Sequence, residues 1–155
     1  MRRAVLLLCA ALCVGLALPA LRADDAPGAM RVAALVIETQ AGRQIEYTVE
    51  LALSDAERRR GLMGRHRLAA DAGMLFDFGA AQPIAMWMRD THVALDMVFA
   101  DEAGVIVDLI AHTTPLSDTL LMPRAPARYV LELRAGQSAA QGIATGDRLR
   151  LRTSP

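Results

Sequence analysis

Residues 85–91 concentrate side chains that could bind a ligand. Trp87, the only tryptophan among 155 residues, stands two positions before Arg89, and Asp90 and Thr91 follow. In a strand, residues two apart project from the same face, so the indole and the guanidinium can be presented together. An exposed tryptophan offers ring area to a sugar or a peptide, and neighbouring charges fix its orientation. We therefore predict a recognition surface here. The alternative is a core Trp87 with Arg89 paired to a local carboxylate.

Asp96 lies inside an apolar run, between Leu95 and Met97. A carboxylate in such a place is costly unless it is paired, hydrogen-bonded or facing a pocket. A pair with Arg89 or with Arg65 would remove that cost, and ligand binding and catalysis are the other interpretations. The predicted ligand-binding residues are therefore Trp87, Arg89, Asp90, Thr91, Asp96 and Arg65.

A second carboxylate, Glu132, also interrupts an apolar run. Alternation places it on the face opposite Leu131 and Leu133, which predicts a solvent-facing side chain. Two carboxylates such as Asp96 and Glu132 could serve a glycosidase, which needs them ~5 to 9 Å apart. A hydrolase that uses Asp96 with a second carboxylate is therefore an alternative function.

Thioether and imidazole side chains suggest another alternative, a periplasmic copper-binding protein, because both ligand types suit copper. Only Met86 and Met88 share a strand face, and filling of the core is the usual role of methionine. The main hypothesis therefore includes no metal and no cofactor. All 17 basic residues are arginine, which excludes lysine-based Schiff-base chemistry. The candidate copper ligands are Met63, Met74, Met86, Met88, Met97, His66, His92 and His112.

The elements that must position these residues are mainly strands. Apolar and polar residues alternate over residues 43–53, and the apolar run 32–39 precedes them across a short turn, which predicts a hairpin. Ser54 and Glu57 form a capping box and predict a short helix to about Leu62. Gln137 and the residues to Gln141 suggest one helical turn. Further strands are predicted at residues 74–78, 84–88, 95–100, 105–110, 129–134 and 149–152.

About eight short strands and one short helix after the second strand predict a mainly β fold, either a compact sandwich or a barrel. Repeated helical crossovers, which βαβ units require, are not indicated. Residues 111–126 form the longest predicted loop, and such loops often line binding sites.

The beginning of the sequence has the pattern of a secretory signal peptide. Arg2 and Arg3 precede an uncharged run over residues 4–18, and Pro19 and small residues follow. We predict cleavage after Ala23, a flexible lead-in over residues 24–29 and one β-rich domain over residues 30–155. The expected location is periplasmic or secreted, without a membrane span after cleavage. Both cysteines would leave with the leader.

Charge argues against a polyanionic partner. The whole chain balances 17 basic against 17 acidic residues, and removal of the leader shifts the balance towards acid. Since this gives no electrostatic reason to bind phosphate backbones, we predict no nucleic-acid partner.

Several motifs, in a fixed order, resemble the family of domains of unknown function numbered 192. The resemblance implies a compact, mainly β fold that is often exported and has no established activity. Our prediction is an exported, non-catalytic module that binds a small molecule, a glycan or a peptide in the cell envelope. The motifs are Gly61-Leu62-Met63 with Arg65 and Leu68, Gly73-Met74-Leu75-Phe76 with Phe78, Trp87-Met88-Arg89-Asp90-Thr91, Leu95-Asp96 with Phe99, Tyr129-Val130-Leu131-Glu132-Leu133 with Gly136, and Gly146-Asp147.

Overall fold

A computed structural model describes residues 30–152. The predicted signal peptide, residues 1–23, and the predicted lead-in, residues 24–29, lie outside the described residues. Within the described part of the chain, no helix has the length and apolar character needed to span a membrane.

Residues 30–152 form a mainly β fold, as the sequence predicts, with seven strands and two short helices. The 137–141 segment is helical and the capping-box helix is present. The elements in chain order are β1 (Val32–Glu38), β2 (Gln44–Ala52), α1 (Asp55–Arg60), β3 (Ala72–Gln82), β4 (Leu95–Ala100), β5 (Ile106–Ile110), β6 (Ala127–Arg134), α2 (Gln137–Gln141) and β7 (Arg148–Leu151).

One curled sheet contains all seven strands, in the order β5-β4-β6-β3-β2-β1-β7. Neighbours are antiparallel except β2 and β3, which are parallel because α1 and the following loop carry the chain across. The sheet curls so far that its two ends meet. The Ile106 N–H donates to the Asp147 carbonyl over 2.8 Å, and the Leu149 N–H donates to the Gly104 carbonyl over 2.8 Å.

Both faces of the central strands are covered by apolar side chains. On β3, Met74 and Phe76 belong to one buried cluster, whereas Leu75 belongs to a second cluster on the opposite face. We call these the Met74 cluster and the Leu75 cluster. Strand β4 is buried at every position. A side chain on these strands is therefore buried whichever way it points.

The capping box predicted for α1 is present. The Glu57 N–H donates to the Ser54 hydroxyl over 3.3 Å, and the Glu57 carboxylate accepts from the Ser54 N–H over 2.7 Å. The helix ends at Gly61, which has φ +44°, and a Cβ there would lie 3.2 Å from the Phe76 ring. Helix α1 is thus held close against β3.

The run 84–88 does not form a strand of the sheet, in contrast to the sequence prediction. It meets the sequence-distant loop only through one bridge between Met86 and Leu121 and one hydrogen bond from the Met88 N–H to the Ser117 carbonyl, over 3.0 Å. Met86 and Met88 point into the Met74 cluster, while Trp87 and Arg89 are exposed. The predicted alternation is therefore present although the strand is not.

Candidate functional site

A cavity of about 430 Å³ opens between α1, β3, β6 and the extended segment 82–91. Its walls combine aromatic and aliphatic side chains with several arginines. The lining residues are Asp55, Arg58, Arg59, Arg60, Gly61, Leu62, Met63, Phe76, Phe78, Gln82, Ala85, Met86, Trp87, Arg89, Thr91 and Glu132.

The segment 84–91 forms one wall because its two methionines anchor it. With Met86 and Met88 buried, Trp87 remains 38% exposed at the cavity. The Arg89 guanidinium lies 5.9 Å from the centre of the Trp87 ring, and its Nε donates to Asp118 over 2.7 Å. The indole and the guanidinium are therefore presented together, as predicted.

Helix α1 contributes three consecutive arginines. The Arg58 Nη1 donates to the Asp77 carbonyl over 2.6 Å, and the guanidinium also pairs with Asp55 and lies 5.4 Å from the Phe78 ring centre. Arg59 and Arg60 are exposed. The ion pairs and side-chain hydrogen bonds among residues 30–152 leave both of them without a partner. Two cationic groups at the cavity are thus available to a ligand.

Glu132 is the most unusual group in the lining. On β6 it is only 4% exposed, and its register neighbours across the sheet are Met74 on β3 and Met97 on β4. Within the described residues no group donates a hydrogen bond to its carboxyl. Burial raises the pKa of Glu132 to about 8. The side chain is therefore a neutral carboxylic acid at pH 7, aimed into a cavity.

The solvent-facing position predicted for Glu132 is wrong. Alternation correctly separates it from Leu131 and Leu133, which lie in the Leu75 cluster. The opposite face of β6, however, is covered by the Met74 cluster and borders the cavity.

The pairing of Asp96 with Arg89 or Arg65 is also wrong. Asp96 is fully buried, and its carboxylate accepts from the Ser138 N–H over 2.9 Å, the Ser138 hydroxyl over 2.5 Å and the His112 N–H over 3.0 Å. Burial alone would raise the pKa of Asp96, but the hydrogen bonds from Ser138 and from backbone N–H groups together hold it below its usual value. This carboxylate fixes the first turn of α2 to β4 and does not line the cavity.

The remaining predicted residues divide between the cavity and other places. Thr91 lines the cavity and is 5% exposed, with its hydroxyl 3.3 Å from the Arg89 carbonyl. Arg65 instead donates to both carboxylate oxygens of Glu50, over 2.6 and 2.7 Å. Asp90 lies 3.5 Å from His92 and is not part of the lining.

Half of the predicted set thus meets at one place, namely Trp87, Arg89 and Thr91. Sequence reasoning named Glu132 only as a second carboxylate for a hydrolase and predicted that it faces solvent, and it missed the arginines of α1. The triplet Arg58-Arg59-Arg60 is a signal in the sequence that could have identified them. It places three adjacent positive charges in the last turn of α1, and no acidic residue of the helix follows Glu57.

The methionines proposed as copper ligands lie mostly within the core. Met74, Met88 and Met97 are each at most 1% exposed and pack within the Met74 cluster. His66 and His92 stack on each other with ring centres 4.1 Å apart. Residues 30–152 include no group of three or more His, Cys, Asp or Glu side chains placed to hold a metal ion.

The family model DUF192, described as an uncharacterized ACR, matches residues 36–151. The chain belongs to this family. The resemblance inferred from the motifs is thereby confirmed, and the family has no established function.

Two solved structures share the fold. A protein of Sinorhizobium meliloti 1021, described as a "putative transcription regulator", is 40% identical, with a TM-score of 0.78 over 79% of this chain and 95% of that one. A protein of unknown function from Novosphingobium aromaticivorans DSM 12444 is 29% identical, with a TM-score of 0.75 over 78% of this chain and 86% of that one. No curated protein matches this chain significantly.

Proposed function

We propose that this DUF192 domain is a non-catalytic binding module of the cell envelope that holds a small molecule, or part of a glycan or peptide, in the cavity beside Trp87. The observation that carries the proposal is the buried, partnerless Glu132 carboxyl, which points into a cavity walled by a half-exposed tryptophan. A buried ionisable group without a partner lowers stability, so its presence at a cavity favours a role in recognition.

The composition of the cavity supports binding. Ligand sites typically measure ~300 to 1,000 Å³ and combine apolar walls with a few polar groups. Here Leu62, Phe76 and Met86 supply buried apolar wall. Trp87 adds a flat surface for a ring, and Arg89 beside it can orient a polar substituent. The volume of about 430 Å³ suits a small molecule or one to a few units of a longer chain.

The arrangement favours binding over glycoside hydrolysis. A glycosidase needs two carboxyl groups that flank the scissile bond. Asp96 and Glu132 project from opposite faces of the sheet, because Met97, the neighbour of Asp96, is the register partner of Glu132. Asp55, the other carboxylate of the lining, is engaged by Arg58. Among the described residues that line the cavity, Glu132 therefore has no free second carboxylate beside it.

The leader-like sequence supports the proposed envelope location. The charged start, the apolar run of residues 4–18 and the small residues before Asp24 favour export. An exported domain would meet glycans and peptides of the envelope, which are ligands that the cavity can accommodate.

The test uses the intrinsic fluorescence of Trp87, the only tryptophan of the chain. The purified protein is titrated with sets of envelope-type oligosaccharides and short peptides, while thermal shift and product formation are followed in parallel. We expect at least one ligand to give a saturable change in fluorescence and a higher melting temperature, without turnover.

Two substitutions test whether the change in fluorescence comes from a ligand bound in the cavity. Arg89→Gln should weaken binding several-fold, whereas Arg150→Gln, on the exposed end of β7, should bind as the wild type does. Chemical conversion of the bound ligand, or equal affinity of Arg89→Gln and the wild type, would contradict the proposal.

A further inference from the structure

We infer that the ligand carries a carboxylate joined to an apolar body, with the carboxylate held by Arg59 and Arg60 and a neutral oxygen of the ligand accepting a hydrogen bond from Glu132. This inference rests on the proposed function and names the chemical class of ligand at the same site.

The charge of the cavity favours an anion. Four arginines line it against two carboxyl groups. Arg58 is paired with Asp55, and Arg89 is paired with Asp118, so these two guanidinium groups are largely neutralised. Arg59 and Arg60 keep their full charge and their hydrogen-bond donors. Because a guanidinium matches a carboxylate in two parallel hydrogen bonds, these side chains suit a carboxylate ligand.

Glu132 does not oppose such a ligand. Burial raises the pKa of its carboxyl to about 8, so the group is uncharged at neutral pH. A protonated carboxyl has one O–H donor, which can bond to a carbonyl, hydroxyl or ether oxygen. The cavity therefore offers hydrogen-bond donors to a ligand at two places, at Arg59 with Arg60 and at Glu132.

The two polar places are separated by apolar wall. Arg59 and Arg60 lie at the exposed end of α1, whereas Glu132 is buried on β6. The Phe76 ring lies against the end of α1, 3.2 Å from the position of a Cβ at Gly61. Phe76, Phe78 and Met86 also line the cavity. A ligand that reaches both polar places must therefore present an apolar or ring-shaped body between them.

The experiment compares acids with matched neutral analogues by Trp87 fluorescence and calorimetry. Three pairs cover the sources of a carboxylate, namely glucuronate with glucose, an acetylated dipeptide with its C-terminal amide, and 4-methoxyphenylacetate with 4-methoxyphenylacetamide. We expect the acid of at least one pair to bind about tenfold or more tightly than its neutral partner, because a hydrogen bond from a guanidinium to a carboxylate is charge-assisted and stronger than one to a neutral group. Added salt should reduce the preference. The pair that shows it identifies the source.

Variants localise the effect. Arg59→Gln with Arg60→Gln should reduce the acid preference about tenfold, while Arg67→Gln, an exposed arginine outside the lining, should retain it. Glu132→Leu should weaken the acid and its neutral partner alike, since it removes only the donor to the neutral oxygen.

The other outcomes show whether the inference about the ligand fails, or the proposed function, or both. Equal binding of acid and neutral partner overturns this inference but leaves the proposed function standing. If no acid binds, the inference fails as well. The proposed function fails separately, when neither these compounds nor the oligosaccharides and peptides of the wider set change the Trp87 signal.

Discussion

The substitution Glu132→Gln should stabilise the protein, and increasingly so as the pH rises. The carboxyl has an ordinary pKa of 4.5, which burial raises to about 8 in the folded state. Between these values the folded protein keeps the proton that the unfolded chain releases. The stability linked to this proton is therefore fully present below about pH 4.5 and is lost as the pH rises through about 8. Glutamine is neutral at every pH and has nearly the same shape.

The size of the effect follows from the shift. Each pKa unit corresponds to about 1.4 kcal/mol, so the loss between pH 5 and pH 8 should be roughly 3 kcal/mol. The other charged groups that line the cavity have little effect on this loss of stability, because burial is the cause of the shift in the pKa of Glu132. They are Asp55, Arg58, Arg59, Arg60 and Arg89.

The assay is urea unfolding at pH 5, 6, 7 and 8 at constant ionic strength. We expect the free energy of unfolding of Glu132→Gln minus that of the wild type to grow by roughly 3 kcal/mol over this range. Glu46→Gln, in which an exposed carboxylate on β2 is removed, is the control and should give a nearly constant difference. A Glu132→Gln difference that varies by less than about 1 kcal/mol would refute the reasoning, since a titrating buried carboxyl must produce a larger slope.

Three further substitutions test the framework around the site. Asp96→Asn keeps the shape but removes the charge that accepts three hydrogen bonds, and should lower the free energy of unfolding by about 2 kcal/mol in urea titrations; no loss would contradict its structural role. Ser54→Ala removes the cap of α1 and should cost about 1 kcal/mol, whereas the neighbouring Asp55→Ala should cost less. Tyr47→Phe removes a buried hydroxyl that has no hydrogen-bond partner in the described structure, and should raise the melting temperature by a few degrees. A lower melting temperature would indicate a missed partner.

Local sequence signals predict local structure well in this chain. The alternation in β2 and the turn after β1 yield the hairpin, and the capping box yields α1, because each depends on neighbours within a few residues. The segment 84–88 shows the limit. Its alternation decides which side chains are exposed, but its pairing partner lies more than thirty residues away, at Leu121. A strand needs such a partner along its whole length, and pattern alone does not supply one.

The candidate site was predicted only where the relevant contacts are local. Trp87 and Arg89 meet because they are two positions apart on an extended segment. Asp96 was correctly identified as a carboxylate that needs partners, but its actual partners come from α2, forty-two residues later, and from the backbone at His112. Burial cost predicts that a partner exists and does not say which one.

Glu132 shows why the sequence predicts the wrong environment for the most informative residue of the cavity. Period-two alternation assigns residues to the two faces of a strand. It identifies a solvent-exposed face only when one of the two faces is in fact exposed to solvent. Strand β6 lies between β4 and β3 in a curled sheet whose two faces carry separate apolar clusters. On such a strand, a charged residue opposite the core points to a second interior. There, a carboxyl must find a partner, lose its charge or face a cavity, and Glu132 does the last two. A glutamate in an apolar run of a central strand is therefore better interpreted as a buried residue than as a solvent-facing one.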